Sequence, residues 1–407
     1  MSSFGLLGEK LSHSYSPKLH SMLGDYSYDL FEVQKNDVES FIRSGKWEGL
    51  NVTIPYKKTV FSFIDELSED AGETGCVNTV VRRNGVLYGD NTDVYGFKSL
   101  VAFSGIDVAN KKAVVLGSGG ASAAACAALR SMGSVPVVIS RHGPDNYMNL
   151  SAHRDAQIIV NTTPVGMFPY NGQRVIDLDD FPDCIGVLDV IYNPRMTALL
   201  MDAEKKNIPR ANGLYMLVAQ AKRSAELFAG KVIPDREVGR IYAELDRSMR
   251  NIVLVGMPGC GKTTAASEIG RLTGRKVIDT DSLFEARNKM TPAQYIVAYG
   301  EPAFRLKEHE IVIEAGSMSG AVIATGGGAV TFEKNYEALH QNGIIIWLQR
   351  SPDKLCTQGR PLSVSKSLED LYSEREDLYR KFADCTVDLD RENYMVKLLR
   401  IVSGVEE

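Results

Sequence analysis

Residues 256–263, GMPGCGKT, form the most informative chemical pattern of the chain. They fit G-x-x-x-x-G-K-[ST], in which backbone N–H groups cradle phosphates, the lysine reaches the outer phosphates and the hydroxyl is placed to bind Mg²⁺. The apolar run IVLV precedes the pattern and a helix-like segment follows it. The alternative is a glycine-rich turn with a surface lysine. The pattern predicts phosphoryl transfer from ATP, with contacts from Gly259, Cys260, Gly261, Lys262, Thr263 and Thr264.

Two carboxylates close the next apolar strand, in the sequence DTD at 279–281. Carboxylates at i and i+2 suit a site in which one serves a metal ion and the other a substrate hydroxyl. The pair therefore predicts a phosphate acceptor that carries a hydroxyl. The alternative is that Asp281 is the N-cap of the helix SLFEARN.

An earlier glycine turn lies in VVLGSGGASAAACAAL at 114–129. Gly117, Gly119 and Ser122 fill the small-residue positions of G-x-G-x-x-G/A, a spacing that lets pyrophosphate approach the backbone at a helix start. A turn that binds nothing is the alternative. Arg141 follows the next strand where an NAD site carries an acidic residue, and a guanidinium can pair with a 2′-phosphate. The pattern therefore predicts NADP over NAD, unless Arg141 is a solvated surface residue.

Four polar clusters precede that turn in turn-like contexts, and their hydroxyls, amides, lysine and carboxylate suit a hydroxylated acid as ligand. Hydride reduction of a ketone also needs a proton for the forming alkoxide, which a lysine beside an aspartate can supply. Lys57 and Asp93 are the candidates. A surface charge at Lys57 and a helix N-cap at Asp93 are the alternatives. The clusters are SHSYSP (12–17), NVTIPYK (51–57), VNT (77–79) and NTD (91–93).

Strand-like and helix-like runs alternate around both glycine turns, which predicts an α/β fold with parallel sheets covered by helices. A chain of 407 residues is too long for one ordinary core, and the roughly 110 residues before the first turn suffice for a separate catalytic lobe. The helix-like segment 236–249 runs almost directly into the strand before the second turn. A domain boundary is therefore predicted near 247–250.

Composition narrows the class of partner to small molecules. The formal charge of −5 is spread without a long block of either sign, which predicts no nucleic-acid partner. No apolar run approaches the roughly 20 residues of a membrane span, and the first ten residues lack a signal-peptide pattern. The six cysteines form no C-x-x-C pair or metal cluster. We expect a soluble, cytoplasmic protein with reduced thiols and no membrane partner; no oligomeric state is predicted.

In the order of its motifs, the region 1–245 resembles shikimate dehydrogenases. Beyond the clusters above, it shares NTTPVGM (161–167), DVIYNP (189–194) and GLYMLVAQA (213–221) with them. The resemblance implies that Lys57 and Asp93 exchange the proton. It implies substrate contacts from Ser14, Ser16, Thr53, Lys57, Asn78, Asn91, Asp93, Tyr192 and Gln220. It implies an NADP site at Gly117, Ser118, Gly119, Gly120, Ala121, Ser140, Arg141, Thr162 and Gly213.

Two positions depart from that family. Tyr15 replaces an aliphatic residue in the serine motif, and Ser140, Arg141 and His142 stand where Asn-Arg-Thr is usual. For Gln220, an ordinary amide on a helix face is the alternative.

The region 250–407 resembles shikimate kinases through the phosphate loop, DTD and four further motifs: GEPAFRLKE (300–308), TGGG (325–328), RPL (360–362) and EREDLY (374–379). The resemblance implies that Thr263 and Asp279 bind Mg²⁺ and that Asp281 orients or deprotonates the acceptor hydroxyl. It implies that Arg305 and Arg375 bind the shikimate carboxylate through bidentate contacts. It further implies that backbone N–H groups of Gly326, Gly327 and Gly328 face the substrate ring and that Arg360, on a lid, reaches the phosphoryl group.

Blander interpretations of these kinase residues remain open. Arg305 and Arg375 could form surface ion pairs with Glu308 and Glu374, and the triple glycine could be only a loop. The chain also departs from the family at the lid. The segment between SPDKLC and Arg360 is shorter than usual, the arginine often found against adenine is absent, and RPLS replaces RPLL.

Together the resemblances predict a dehydrogenase-like region at 1–247 and a P-loop kinase-like domain at 248–407. The first comprises a catalytic lobe at about 1–105 with helices at about 212–247, and a Rossmann NADP lobe at about 106–211. They predict reduction of 3-dehydroshikimate with NADPH, followed by phosphorylation of shikimate with ATP and Mg²⁺. The alternatives are quinate or another polyol acid as substrate, and a non-catalytic metabolite sensor, although no basic DNA-binding segment is present.

Overall fold

A computed structural model of the chain describes residues 4–11, 14–356 and 367–404. It forms two compact units. The first comprises Met1–Val165, Arg174–Tyr192 and Asp202–Glu244; the second comprises Gly166–Gln173, Asn193–Met201 and Leu245–Glu407. Two short segments of the dehydrogenase-like region thus belong to the second unit, and the boundary at 247/248 stays a prediction.

The first unit contains a six-stranded mixed sheet, ordered β2-β1-β3-β5-β6-β4, in which β5 is antiparallel to both neighbours. Asn84 and Gly85, with φ of 52° and 86°, form the two-residue turn between β5 and β6. Because Thr79 pairs with Asp90, this hairpin brings the VNT and NTD motifs side by side. The strands are β1 (Phe4–Gly8), β2 (Tyr28–Glu32), β3 (Gly49–Val52), β4 (Glu66–Leu67), β5 (Thr79–Arg83) and β6 (Val86–Asp90).

The second sheet of this unit is parallel throughout, in the order β11-β10-β9-β7-β8, as the alternation of elements predicts. Strand β7, which lies between β9 and β8, runs into the first glycine turn. The strands are β7 (Lys112–Leu116), β8 (Val135–Ile139), β9 (Ile158–Asn161), β10 (Gly186–Asp189) and β11 (Arg210–Ala211).

The second unit contains a five-stranded parallel sheet, ordered β13-β14-β12-β15-β16. Its central strand is buried along its whole length and runs into the phosphate loop, so the loop is anchored in the core. The strands are β12 (Asn251–Val255), β13 (Val277–Asp279), β14 (Val322–Ala324), β15 (Gly343–Gln349) and β16 (Cys385–Asp388).

Helices cover these sheets, and the helix predicted over 236–249 is confirmed as Arg236–Met249. No helix in the described part of the chain is long and apolar enough to span a membrane. None of the six cysteines forms a disulfide, as predicted.

The α-helices are α1 (Ser16–Leu23), α2 (Val38–Arg43), α3 (Lys57–Phe61), α4 (Glu69–Thr74), α5 (Thr92–Ser104), α6 (Gly120–Ser131), α7 (Ala198–Lys205), α8 (Leu214–Ala229), α9 (Arg236–Met249), α10 (Lys262–Thr273), α11 (Thr280–Asn288), α12 (Pro292–Tyr299), α13 (Glu301–Gly316), α14 (Asn335–His340), α15 (Leu368–Phe382) and α16 (Tyr394–Ser403). Short 3-10 helices cover Lys35–Asp37, Leu150–His153, Leu178–Asp180, Ala329–Thr331 and Pro352–Lys354.

Candidate active sites

A cavity of about 570 Å³ lies in the first unit. Polar side chains from both lobes of the predicted dehydrogenase region converge on it, so the fold gathers residues that are far apart in sequence. Eight of the nine predicted substrate contacts line it: Ser14, Ser16, Thr53, Lys57, Asn78, Asp93, Tyr192 and Gln220.

Lys57 and Asp93 form an ion pair inside this cavity, with Nζ 2.6 Å from Oδ2. Lys57 is the first residue of α3 and Asp93 lies in the first turn of α5. Their side chains are 23% and 12% exposed, so the pair is neither a surface charge nor sealed from a ligand. The surface interpretation of Lys57 is therefore wrong, and the two residues can pass a proton between them.

Asn91 is the residue that caps α5, with Oδ1 accepting from the Asp93 N–H at 3.3 Å. The interpretation of Asp93 as the cap is therefore wrong, and its carboxylate is left for Lys57. The Asn91 Nδ2 donates to Thr74 Oγ1 at 2.8 Å, and Asn91 is not among the residues that line the cavity. Its substrate contact stays a prediction.

The serine motif forms one wall of the cavity. The Ser16 N–H donates to Ser14 Oγ at 3.2 Å, which orders the start of α1. Tyr15, the residue that departs from the family, packs edge to face on Tyr192 with ring centroids 5.8 Å apart. Burial raises the pKa of both phenols, so both are protonated hydrogen-bond donors at neutral pH. Ser12 and His13 lie outside the described residues.

The first glycine turn adjoins the ion pair. Gly117 has φ +113°, and a Cβ there would lie 2.7 Å from Thr162 Oγ1, so glycine is needed. A Cβ placed on Gly120, at the start of α6, would lie 3.7 Å from Lys57 Cδ. A dinucleotide on this turn would therefore reach the Lys57–Asp93 pair. The Thr162 hydroxyl donates a hydrogen bond to the Leu116 carbonyl at 2.6 Å, which fixes the residue that precedes the turn.

Gly213 lies at the point where the start of α8 packs closely against the end of β10. A Cβ there would lie 1.9 Å from the Val190 carbonyl oxygen, so no other residue fits. Gly213 and Ala121 both line the cavity, whereas Ser118 and Gly119 are exposed on the turn. These positions suit close approach of a cofactor to the backbone.

Arg141 lies beyond β8, is exposed and forms no ion pair with any residue in the described ranges. Ser140 donates its N–H to the Asp145 carbonyl at 3.2 Å, which bends the chain there. An exposed guanidinium at this point suits a 2′-phosphate. The assignment of both residues to NADP stays a prediction.

One buried polar pair beside the cofactor turn escaped sequence reasoning. Asn161 Nδ2 donates to Asp189 Oδ1 at 3.1 Å, and the two residues are 1% and 0% exposed. Asp189 Oδ1 also accepts from the Ile191 N–H at 3.0 Å. The pair ties together the ends of β9 and β10 and so positions the NTTPVGM and DVIYNP loops. Only the polar last residue of each otherwise apolar strand could have signalled it.

In the second unit the phosphate loop has the expected backbone geometry. Gly256, Gly259 and Gly261 have φ of +149°, +85° and +109°, which other residues rarely adopt. Lys262 begins α10, is 7% exposed and donates to the carbonyls of Gly256 and Met257 at 2.8 and 3.0 Å. The surface interpretation of this lysine is therefore wrong. Cys260 is buried and Thr264 is exposed.

The two predicted Mg²⁺ ligands meet across the loop. Thr263 Oγ1 donates to Asp279 Oδ2 at 2.8 Å. Asp279 is also the N-cap of α11, because its Oδ1 accepts from the N–H groups of Asp281 and Ser282 at 3.0 and 3.1 Å. Asp281 is thus not the cap. A hydroxyl and a carboxylate oxygen side by side beneath a phosphate loop fit the oxygen preference of Mg²⁺.

Three predicted kinase substrate residues surround a buried carboxylate, Glu308. Arg305 Nη1 donates to Glu308 Oε2 at 2.7 Å. A Cβ on Gly326 would lie 2.7 Å from Glu308 Oε1 and 2.9 Å from Asp281 Oδ1, so both carboxylates face this glycine. Burial raises the pKa of Glu308, and the charge of Asp281 raises it further, whereas Arg305 and Arg375 oppose the shift. Glu308 was noted in the sequence only as an ion-pair partner.

The surface ion pairs considered for the two arginines are wrong. Arg305 does pair with Glu308, but the two residues are only 9% and 3% exposed. Arg375 is 6% exposed and donates to the Gly327 carbonyl at 3.2 Å, where Tyr379 also donates at 2.5 Å. The glycine run is therefore held by two side chains of α15, the helix that carries Arg375, which a simple loop does not require.

One predicted role in the glycine run is corrected. The Gly326 N–H donates to Thr280 Oγ1 at 2.9 Å and so is not directed at a ligand. Gly327 and Gly328 remain the candidates for N–H contacts. A Cβ on Gly328 would lie 2.2 Å from Arg305 Nη2, so glycine is needed there to leave room for the guanidinium group. Arg360 and the rest of RPL lie outside the described residues.

Comparison with known families matches both halves. The profile of the shikimate dehydrogenase substrate binding domain matches residues 6–80, and that of shikimate kinase matches residues 258–403. Shikimate dehydrogenase (NADP(+)) of Clostridium beijerinckii is 36% identical over 274 residues, which cover 61% of this chain and 100% of that protein.

Solved structures resemble the same part of the chain. Shikimate dehydrogenase 1 from Peptoclostridium difficile is 36% identical with a TM-score of 0.55, and the match covers 60% of this chain and 98% of that one. Quinate dehydrogenase from Corynebacterium glutamicum in complex with NAD is 26% identical with a TM-score of 0.55, and covers 60% and 98%.

Proposed function

The chain belongs to the shikimate dehydrogenase family and carries a shikimate kinase domain over residues 258–403, and we propose that it catalyses two consecutive reactions. The first site reduces 3-dehydroshikimate to shikimate with NADPH. The second site phosphorylates shikimate to shikimate 3-phosphate with ATP and Mg²⁺. The product of the first site is the acceptor of the second, which explains why one chain carries both.

The observation that carries the first activity is the Lys57–Asp93 pair in a cavity lined by hydroxyls and amides. NADPH bound at the glycine turn supplies the hydride. Lys57 donates a proton to the forming alkoxide, and Asp93, 2.6 Å from Nζ, holds the ammonium in place and exchanges the proton with it. Ser14, Ser16, Thr53, Asn78 and Gln220 hold the carboxylate and hydroxyls of the substrate.

For the second activity, the supporting observation is the convergence of the phosphate loop, Asp281 and two buried arginines. Thr263 and Asp279 are the residues that would hold Mg²⁺, whose charge offsets that of the phosphates. Asp281 orients the acceptor hydroxyl and accepts its proton. Arg305 and Arg375 bind the shikimate carboxylate, a planar anion that suits guanidinium groups.

A coupled assay tests both activities at once. Purified protein is given 3-dehydroshikimate, NADPH, ATP and Mg²⁺, while absorbance of the cofactor and phosphorylated product are followed together. We expect loss of NADPH and formation of shikimate 3-phosphate. Consumption of NADPH without phosphorylated product would contradict the kinase assignment, and phosphorylation of added shikimate without any reduction would contradict the dehydrogenase assignment.

A second candidate for the first site is quinate oxidation, because a quinate dehydrogenase shares its fold. The same lysine and aspartate can serve either acid. Comparison of kcat/KM for shikimate and quinate with NADP, and again with NAD, separates the two. The Lys57–Asp93 ion pair and the position of Asp281 beside Gly326 support catalysis over a non-catalytic metabolite sensor.

A further inference from the structure

A fully buried hydrogen-bond network underlies the first cavity and centres on Ser224. This serine lies on α8, one turn after Gln220, is 0% exposed and does not line the cavity. A fully buried position does not require a polar side chain unless the hydroxyl forms hydrogen bonds with its neighbours.

Ser224 contacts residues from three other elements. Its Oγ accepts from Asn51 Nδ2 at 2.8 Å and donates to the Gln220 carbonyl at 3.0 Å. It also lies 2.9 Å from Thr79 Oγ1 and 3.2 Å from Thr92 Oγ1. Thr79 and Thr92 each stand beside a predicted substrate residue, so the hydroxyl joins the VNT and NTD motifs to α8.

The network fixes which way the Asn78 amide points. The Thr92 N–H lies 2.8 Å from Asn78 Oδ1 and, because an N–H can only donate, the atom facing it must be the oxygen. The hydroxyls of Thr79 and Thr92 also donate to that oxygen, each at 3.1 Å. The Asn78 NH₂ group has no partner within the described ranges, and Asn78 lines the cavity. The site therefore offers donors at this point.

We propose that Ser224 is a positioning residue of the dehydrogenase site. It accepts a hydrogen bond from Asn51 and packs against the two threonine hydroxyls that donate to the Asn78 oxygen, so that Asn78 keeps its oxygen inward and its NH₂ group toward the substrate. The site thereby favours a ligand whose oxygen opposite Asn78 accepts a hydrogen bond. This inference rests on the proposed dehydrogenase function and adds a residue that touches neither substrate nor cofactor.

Removal of Ser224 Oγ has a definite expected consequence. Asn51 loses an acceptor, and the Thr79 and Thr92 hydroxyls lose a neighbour in a dry environment where unmet groups are costly. The Asn51 Nδ2 group then relies on Thr79 Oγ1, 3.1 Å away, as its acceptor and draws this hydroxyl away from the Asn78 oxygen, which loosens the Asn78 amide. Substrate binding weakens, whereas the proton-transferring pair is untouched.

The experiment compares Ser224→Ala with Ser99→Ala. Ser99 is also a helical serine whose hydroxyl donates to the carbonyl four residues earlier, at 2.9 Å, but no hydrogen bond joins it to the network. Ser224→Ala should raise the KM for shikimate about three- to tenfold, with kcat, the KM for NADP and kinase activity unchanged. Ser99→Ala should change none of these. A fall in kcat alone at constant KM would indicate merely less folded enzyme and would overturn the positioning role.

A double-mutant cycle with Asn78→Ala tests the path itself. If Ser224 acts through Asn78, then Ser224→Ala raises KM no further once Asn78 is alanine. Fully additive effects contradict the proposal. Should Ser224→Ala fail to fold, Thr79→Val removes the hydroxyl between Ser224 and Asn78 with little change of shape and is expected to give the same KM effect.

Asn78→Asp tests the predicted polarity. It places an acceptor where the NH₂ group stands, so the KM for shikimate should rise more than in Asn78→Ala. An unchanged KM would show that the ligand donates at this point, contrary to the proposal. Wild-type protein without shikimate oxidation would instead refute the proposed function, which keeps the two failures distinct.

Discussion

The two active sites place their key carboxylates in the same local frame. Asp93 and Asp281 each lie in the first turn of a helix, two residues after the N-cap. In each case the cap oxygen accepts from the N–H of the key aspartate, at 3.3 Å from Asn91 and 3.0 Å from Asp279. The N-cap position thus frees the following carboxylate for chemistry.

The difference lies in the charge of the cap and the source of the cation. In the first site the cap is a neutral amide and Lys57 supplies the positive charge 2.6 Å from Asp93. In the second the cap is itself a carboxylate, whose other oxygen meets Thr263. A proton-transfer site can carry its own cation, whereas a site for a triphosphate needs the additional positive charge of a metal ion, and we propose Asp279 as one of its ligands.

The largest expected effect separates the two sites altogether. Lys57→Ala should lower kcat for NADP-dependent shikimate oxidation by about 10²–10⁴-fold, because the group that takes the proton from the substrate hydroxyl is lost. Phosphorylation of shikimate should be unchanged. Asp281→Asn is the reciprocal variant and should lower only the kinase rate. Parallel assays of both activities check this, and equal loss of both in either variant would refute independent sites.

Asp279→Asn tests whether the second cap has two roles. Asparagine caps a helix as well as aspartate, so the thermal midpoint should be unchanged. The kinase rate at fixed Mg²⁺ should fall by about 10–100-fold and recover partly as Mg²⁺ is raised. A Mg²⁺ titration combined with thermal unfolding measures both. Unchanged Mg²⁺ dependence would leave Asp279 only its capping role.

Arg141→Ala tests the cofactor choice of the first site. Loss of a charge-assisted contact to a 2′-phosphate should raise the KM for NADP about tenfold and leave that for NAD nearly unchanged. The ratio of kcat/KM for the two cofactors is the measurement. If that ratio equals the wild-type ratio, Arg141 is only a solvated surface arginine.

The smallest expected effect is that of Asn91→Asp, which makes the reverse change at the N-cap of the first site. The cap persists, so stability should change by less than about 0.5 kcal/mol. The added carboxylate lies beside the Asp93 N–H and increases the negative charge near the Lys57–Asp93 pair, so shikimate oxidation should slow by less than about tenfold. Steady-state kinetics and thermal unfolding check it. A loss as large as that of Lys57→Ala would instead support a direct substrate contact for Asn91.

Much of the fold followed from local patterns. The strand before each glycine turn, the parallel sheets around the turns and the helix Arg236–Met249 are set by apolar periodicity and by glycines at fixed spacing. The choice of cap was missed, although Asn91 and Asp279 are both strong N-cap residues. In N-T-D and D-T-D the first and third residues compete for the cap, and spacing alone does not rank them.

By itself the sequence determined which side chains stand at the ends of strands and the starts of helices, because these depend on neighbours within a few residues. The tertiary structure decided which of them meet. Lys57 lies 36 residues from Asp93, and Ser224 lies 145 residues from Thr79. Such contacts exist only when whole sheets and helices pack. Burial then fixes the directions of their hydrogen bonds, since an unpaired polar group has no water to turn to.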